Sequence, residues 1–164
     1  MAKSAHASVQ ARRQFTVLTG PKNFISDLGE MTMLTGQVIN AAIMVHTALG
    51  PGLLESAYQT CLVHELRERR IRVQTQVPLV VRYKTLTLND AYRMDLVVEG
   101  VLVVELKAVK QLHPIHEAQL LSYLKLSGFT IGLLINFHVP LLRDGIRRMV
   151  HDVPHARSSD VAAS

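Results

Sequence analysis

Apolar positions along the chain change their spacing several times, and each change marks an element. Leu34, Val38, Ala42, Val45 and Leu49 recur every three or four residues, the spacing of one helical face. The "GPG" at 50–52 ends that helix, because proline lacks an amide donor and glycine tolerates the turn. Leu54, Tyr58, Cys61, Leu62 and Leu66 form the stripe of a second helix over about 53–70. Alternation then replaces it: Val73, Val77, Leu79, Val81 and Tyr83 share one parity, which predicts a strand with those residues on one face. Further strands are expected over 92–98 and 101–107, joined by a turn at Glu99 and Gly100. His113-Pro114 opens a third helix, with proline in its first turn and Gly128 closing it. The continuous apolar run "TIGLLINF" (130–137) predicts a strand covered on both faces, and a last short strand or helix is expected around 146–150. The economical packing of these elements is α/β, a mixed sheet flanked by helices.

The ends of the chain read differently. Residues 1–30 are small, polar and basic without sustained periodicity, so they are expected to form a flexible arm or to reflect a misplaced translation start. The patterned domain is expected over 31–153, and 154–164 as a flexible polar tail.

Composition narrows the function classes. With 164 residues and 48% of them hydrophobic, the chain is sized for one domain with a real core and is too apolar to be disordered over most of its length. A formal charge of +5 is compatible with a polyanionic partner but does not demand one. The single cysteine, Cys61, excludes a disulfide scaffold and a cysteine-rich zinc site, and suits a reducing, cytoplasmic compartment. The longest apolar run falls short of the roughly 20 residues a membrane span requires, and no basic lead precedes an apolar segment, so neither a membrane partner nor a secretory signal is expected.

Charges appear where a buried hairpin should be apolar. In "MDLVVEGVLVVELKAV" (94–109), Glu105 and Lys107 share one face of their strand, and the turn decides whether Asp95 joins them. A two-residue turn would pair Val98 with Val101 and send Asp95 to the other face. A three-residue loop, Val98-Glu99-Gly100, would pair Val97 with Val101 and Asp95 with Val103, close to Glu105. It also places glycine where a left-handed residue is needed, which favours this second register and a bulge at Gly100. Two carboxylates brought together repel and cost several kcal/mol to bury unless compensated. A lysine compensates in part; a divalent cation with oxygen preference, Mg²⁺ above all, does so better and leaves room for a phosphate. An ion pair on an exposed sheet face is the plain alternative.

The pattern Asp95, then Glu105-Leu106-Lys107, resembles the PD-(D/E)XK, or restriction-endonuclease-like, nuclease superfamily, with Met94 where the leading proline stands. "QLLSY" puts Gln119 and Tyr123 on one helical face and resembles the QxxxY signature of the RecB-like branch. "GLLESAY" resembles the narrower GxxExxY proteins through Gly52, Glu55 and Tyr58, as do "HTALGPG", "ELKAV" and "GLLINF". The resemblance covers about 34–150 and implies a restriction-endonuclease-like α-β-β-β-α-β core with an extra N-terminal helix. It further implies Mg²⁺- or Mn²⁺-dependent hydrolysis of a nucleic acid, DNA in the first instance. Asp95, Glu105 and the Leu106 carbonyl would hold the cation, with Glu55 or His46 as further ligands. Lys107 would orient water or neutralise phosphate, Gln119 would fix substrate or Lys107, and Tyr123 would support the same wall. Glu55 has a plainer role in complementing its helix dipole, His46 as a packed core histidine, and His113 and His116 as caps. "RERRIR" (67–72), Lys110 and Arg147-Arg148 are expected to be solvated, with phosphate contact as the functional reading. A homodimer would help so small a chain to embrace a duplex. The competing class is a catalytically silent module that keeps the fold to bind nucleic acid or a protein.

Overall fold

The computed structural model describes residues 24–151, so the expected tail at 154–164 and most of the expected arm lie outside the described residues. Two helices, α1 (Phe24–Leu49) and α2 (Glu55–Glu68), lead into β1 (Val73–Tyr83), β2 (Leu86–Val98) and β3 (Leu102–Lys107). Then come α3 (Pro114–Ser127), β4 (Ile131–Asn136), a short 3-10 turn (Leu142–Gly145) and β5 (Ile146–Val150). The five strands form one sheet in the order β1-β2-β3-β4-β5. Only β3 and β4 are parallel, with α3 as their crossover; the other neighbours are antiparallel. The fold is therefore the expected mixed α/β sheet flanked by helices, with a helix added at the front.

The sheet separates two cores. Under α1 and α2, Val38, Ala42, Tyr58 and Leu62 pack with Leu96, Val104, Leu106, Leu133 and Ile135. On the other side, Leu120, Tyr123 and Leu124 of α3 pack on Met94, Val97, Val103 and Leu134. A Cβ at Gly132 would come within 2.8 Å of the Leu120 side chain, so this glycine lets α3 settle against β4. Both faces of β3 and β4 are buried, as their unbroken apolar runs predict.

Several expectations need correction. Helix α1 begins at Phe24 rather than Leu34, so the expected break at Met31 falls inside it. Met31 and Leu34 are partly buried against the core. Strand β2 begins at Leu86 rather than 92, because Lys84 takes a left-handed conformation (φ 51°) and lets Tyr83 pair directly with Leu86. The single parity assigned to β1 does not hold. Val73 packs in the α1–α2 core, whereas Val77 and Leu79 belong to the α3 side. On β2, Leu96 and Met94 divide in the same way. The change of face occurs where Gln76, at φ 51°, lies opposite Asp95 and the pairing skips a rung.

The hairpin register also differs from both alternatives. Val98 pairs with Leu102, Val97 with Val103 and Leu96 with Val104. The loop is Glu99-Gly100-Val101, closed by the Val101 N–H donating to the Val98 carbonyl at 3.1 Å. Glu99 (φ 52°) and Gly100 (φ 70°) are both left-handed. A glutamate tolerates this because its carboxylate accepts the Arg72 backbone N–H at 2.7 Å and the Arg72 guanidinium at 2.8 Å. Relative to the favoured register the pairing moves by two, which preserves parity. Asp95 therefore comes level with Glu105 itself instead of Val103.

Candidate active site

The site forms at the C-terminal end of β3, where both helical layers reach the sheet edge. Glu105 is buried, its side chain 3% exposed, and its Oε1 accepts from Lys107 Nζ at 2.7 Å. Its other oxygen, Oε2, is the one buried side-chain nitrogen or oxygen among the described residues without a hydrogen-bond partner. Burial, with Asp95 adding to it, raises the Glu105 pKa to about 7, against the pull of Lys107. Burial also works against the Lys107 ammonium, but contact with Glu105 and the charges of Glu55 and Asp95 outweigh it and raise its pKa. At neutral pH the lysine is charged and Glu105 is poised between its two forms.

Asp95 stands where β2 has parted from β3. Its Oδ2 accepts the Leu106 N–H at 3.0 Å, and its Oδ1 accepts from Gln76 Nε2 at 3.2 Å. Glu55 approaches from the first turn of α2. Burial raises its pKa; Lys107 opposes the rise, Asp95 adds to it, and the Ala108 N–H donated to the carboxylate opposes it. From α3, Gln119 Nε2 donates to the Tyr123 hydroxyl at 2.7 Å. Burial raises the Tyr123 pKa, and the phenol senses Glu105, Lys107 and Asp95. The structure thus brings Glu55, Asp95, Glu105, Lys107, Gln119 and Tyr123 into one neighbourhood.

His46 has a backbone partner. Its Nε2–H donates to the Val139 carbonyl at 2.8 Å, and its ring lies 6.3 Å from that of Phe137. That packing satisfies it as a core histidine. Tyr58 is a clamp: buried against Phe137 at 4.4 Å, its hydroxyl donates to the Gly50 carbonyl at 2.6 Å and accepts the Leu53 N–H at 3.0 Å. It fixes the loop that delivers Glu55. Tyr58→Phe keeps the stacking but leaves both backbone groups short of a partner, so urea unfolding should show a loss of about 1–3 kcal/mol. An unchanged midpoint would remove the clamp from this account.

Other contributors carry no motif. Gln76 orients Asp95 and is only 3.5 Å from Gln59 Oε1. Asn136, buried at the end of β4, accepts the Val109 N–H at 3.0 Å and donates to the Val109 carbonyl at 2.8 Å, pinning the chain just past Lys107. The sequence signal that could have found Asn136 is an amide at the end of an otherwise apolar strand. His113 and His116 form a capping box on α3, as their position suggested. A cavity of about 480 Å³ lined by Val77, Val97, Gly100, Gly128 and Phe129 lies at the opposite end of β3 and includes none of the site residues.

Among the described residues, no group of three or more His, Cys, Asp or Glu side chains is arranged as a ready metal cage. A cation with oxygen preference fits the donors nonetheless. Glu105 Oε2 is buried and unpartnered, Asp95 is level with it, and the Leu106 carbonyl follows one residue later. Mg²⁺ completes its shell with waters instead of a full protein cage. With Cys61 outside this set and His46 tied to Val139, a zinc-type site is disfavoured.

A family model described as the PD-(D/E)XK nuclease superfamily matches residues 32–149. The chain belongs to that superfamily. The matched span holds α2, the sheet except for the last residue of β5, and every residue of the cluster. No curated protein and no solved structure matches the chain significantly. As a PD-(D/E)XK member the chain is nuclease-like, and among its described residues no helix is long and apolar enough to cross a membrane.

Proposed function

We propose that the chain is a Mg²⁺- or Mn²⁺-dependent nuclease that hydrolyses phosphodiester bonds, DNA being the first substrate to try, and that it belongs to the GxxExxY branch. The observation that carries this reading is the buried Glu105, with one oxygen on Lys107 and the other unpartnered, level with Asp95. An apolar or fully paired arrangement would be more stable, so an uncompensated carboxylate fits a site built for a cation. Asp95, Glu105 and the Leu106 carbonyl would hold that cation, with Glu55 as a further ligand through water. When bound, it would lower the pKa of a water and neutralise charge growing on the phosphate. Lys107 then orients the attacking water and faces the phosphate, while Glu55 and Gln119 approach from opposite layers to wall the cleft. The lone Cys61 fits a reducing cytoplasmic setting, and a second copy would widen the grip on a duplex.

The test is incubation of labelled single- and double-stranded DNA and RNA with Mg²⁺, Mn²⁺ or EDTA, beside Asp95→Asn. Cleavage should require metal and vanish in the variant. Cleavage that persists in EDTA overturns the mechanism. No cleavage under any condition favours the silent module.

A further inference from the structure

Beyond the site, the β1–β2 hairpin continues past the sheet as an arm. Continuing the Val98–Leu102 register brings Lys107, the end of β3, level with Arg93. Residues 79–92 therefore stand beyond β3, with a register shift between Leu79 and Val81, and among the described residues β1 is an edge strand. One face of the arm carries the pairs Leu79–Tyr92, Val81–Leu88 and Tyr83–Leu86. Leu79 is buried under α3, but exposure reaches 51% at Tyr92, 39% at Leu88, 54% at Leu86 and 65% at Tyr83. The Tyr92 ring lies 6.2 Å from that of Tyr123, so this strip starts at the wall of the site and runs outward. Lys84, at the tip, holds its Nζ 5.4 Å over the Tyr83 ring, while Arg82, paired with Thr87, projects from the opposite face of the ribbon; neither joins an ion pair among the described residues.

We propose that this arm is a track for a single nucleic-acid strand entering the site, with bases stacked on Tyr92 and Tyr83 and the phosphate beside the tip neutralised by Lys84. The inference rests on the nuclease reading for what lies at the end of the track. Exposed aromatic faces beside free cations are the combination that binds unpaired strands, because every base offers a π-face whereas a duplex hides its own. A second copy fits less well: pairing two arms would bring Arg82 and Lys84 of one copy against those of the other, on a chain already at +5. The strip is about four residues of strand long, ~13 Å, enough for a short run of nucleotides.

The test uses the full chain in EDTA, where binding is read without cleavage, by fluorescence anisotropy of labelled single-stranded and duplex oligonucleotides. Wild type should prefer the single strand. Tyr92→Ala should weaken that binding by about 5- to 100-fold, with Tyr92→Phe close to wild type. Lys84→Ala should lower affinity and flatten its salt dependence by about one phosphate contact. All these positions are exposed, and unchanged melting temperatures would confirm that folding is intact. Equal affinity of Tyr92→Ala and wild type overturns the track, as does a dimer in ultracentrifugation that dissociates with Tyr83→Ala. If the arm variants lose binding while wild type cuts nothing with any metal, the track stands and the nuclease reading falls. If wild type cuts and the arm variants cut and bind equally well, the track falls alone.

Discussion

Lys107→Ala should lower phosphodiester cleavage by about 10²–10³-fold or more while leaving the far-UV spectrum unchanged. Among the described residues Lys107 is the one cation in contact with Glu105, and its ammonium also answers Asp95 and Glu55. In the proposed mechanism its loss would deprive the substrate phosphate of its neutralising partner and the attacking water of its orienting donor. A second consequence follows from burial. Glu105 would lose the contact that holds its pKa down to about 7, and would shift further toward the neutral form. A neutral carboxyl is a poor metal ligand, so Mg²⁺ binding at pH 7 should weaken too and recover partly at higher pH. Rates at saturating metal, combined with calorimetric titration at two pH values, separate the two effects. Cleavage that survives in Lys107→Ala would overturn the role assigned to the lysine.

Glu105→Gln should remove activity and yet stabilise the metal-free protein at alkaline pH. The folded pKa of about 7 lies above the ordinary value of 4.5, so the fold disfavours the charged form. The sign is fixed by that order. Below the ordinary value both states are protonated and the carboxyl costs nothing. As pH rises toward and through 7 the unfolded chain gives up its proton more readily, and stability falls by about 2–3 kcal/mol. Glutamine keeps an acceptor for Lys107 without that penalty. Urea midpoints should therefore agree near pH 4.5 and separate in favour of the variant by pH 8. A variant that is less stable at pH 8 would show that the ion pair with Lys107 outweighs desolvation. With Mg²⁺ present the order should narrow or reverse, since only wild type gains from binding the cation.

The helices, the central strands and the charged cluster were legible because each leaves a periodic or paired trace. The alternation of side chains along β3 set Glu105 and Lys107 on one face, and the spacing of Gln119 and Tyr123 set them together on one face of α3. What was illegible depended on distant partners. The hairpin register turned on Glu99 adopting a conformation that glycine usually supplies, which required Arg72, 27 residues earlier, to satisfy its carboxylate. Parity survived that error, so Asp95 still joined Glu105. His46 has the chemistry of a ligand and the surroundings of a core residue, and only the position of Val139 distinguishes them. Gln76 acts through amide geometry that no residue pattern encodes, and Asn136 left only the faint trace of an amide closing an apolar strand.

The reversal of faces at Gln76 and Asp95 has an evolutionary corollary. The charged cluster lies on one side of that rung, and on the other Val77, Leu79 and Met94 still pack under α3 before the hairpin protrudes. Length changes at the tip of the hairpin, beyond Leu79 and Tyr92, are thus insulated from the charged centre. Adding one residue to each strand would turn its outer face over and hide the tyrosines; adding two would restore them further out. Descendants of this fold can lengthen or trim the projection in steps of two, trading reach for compactness without disturbing the carboxylates.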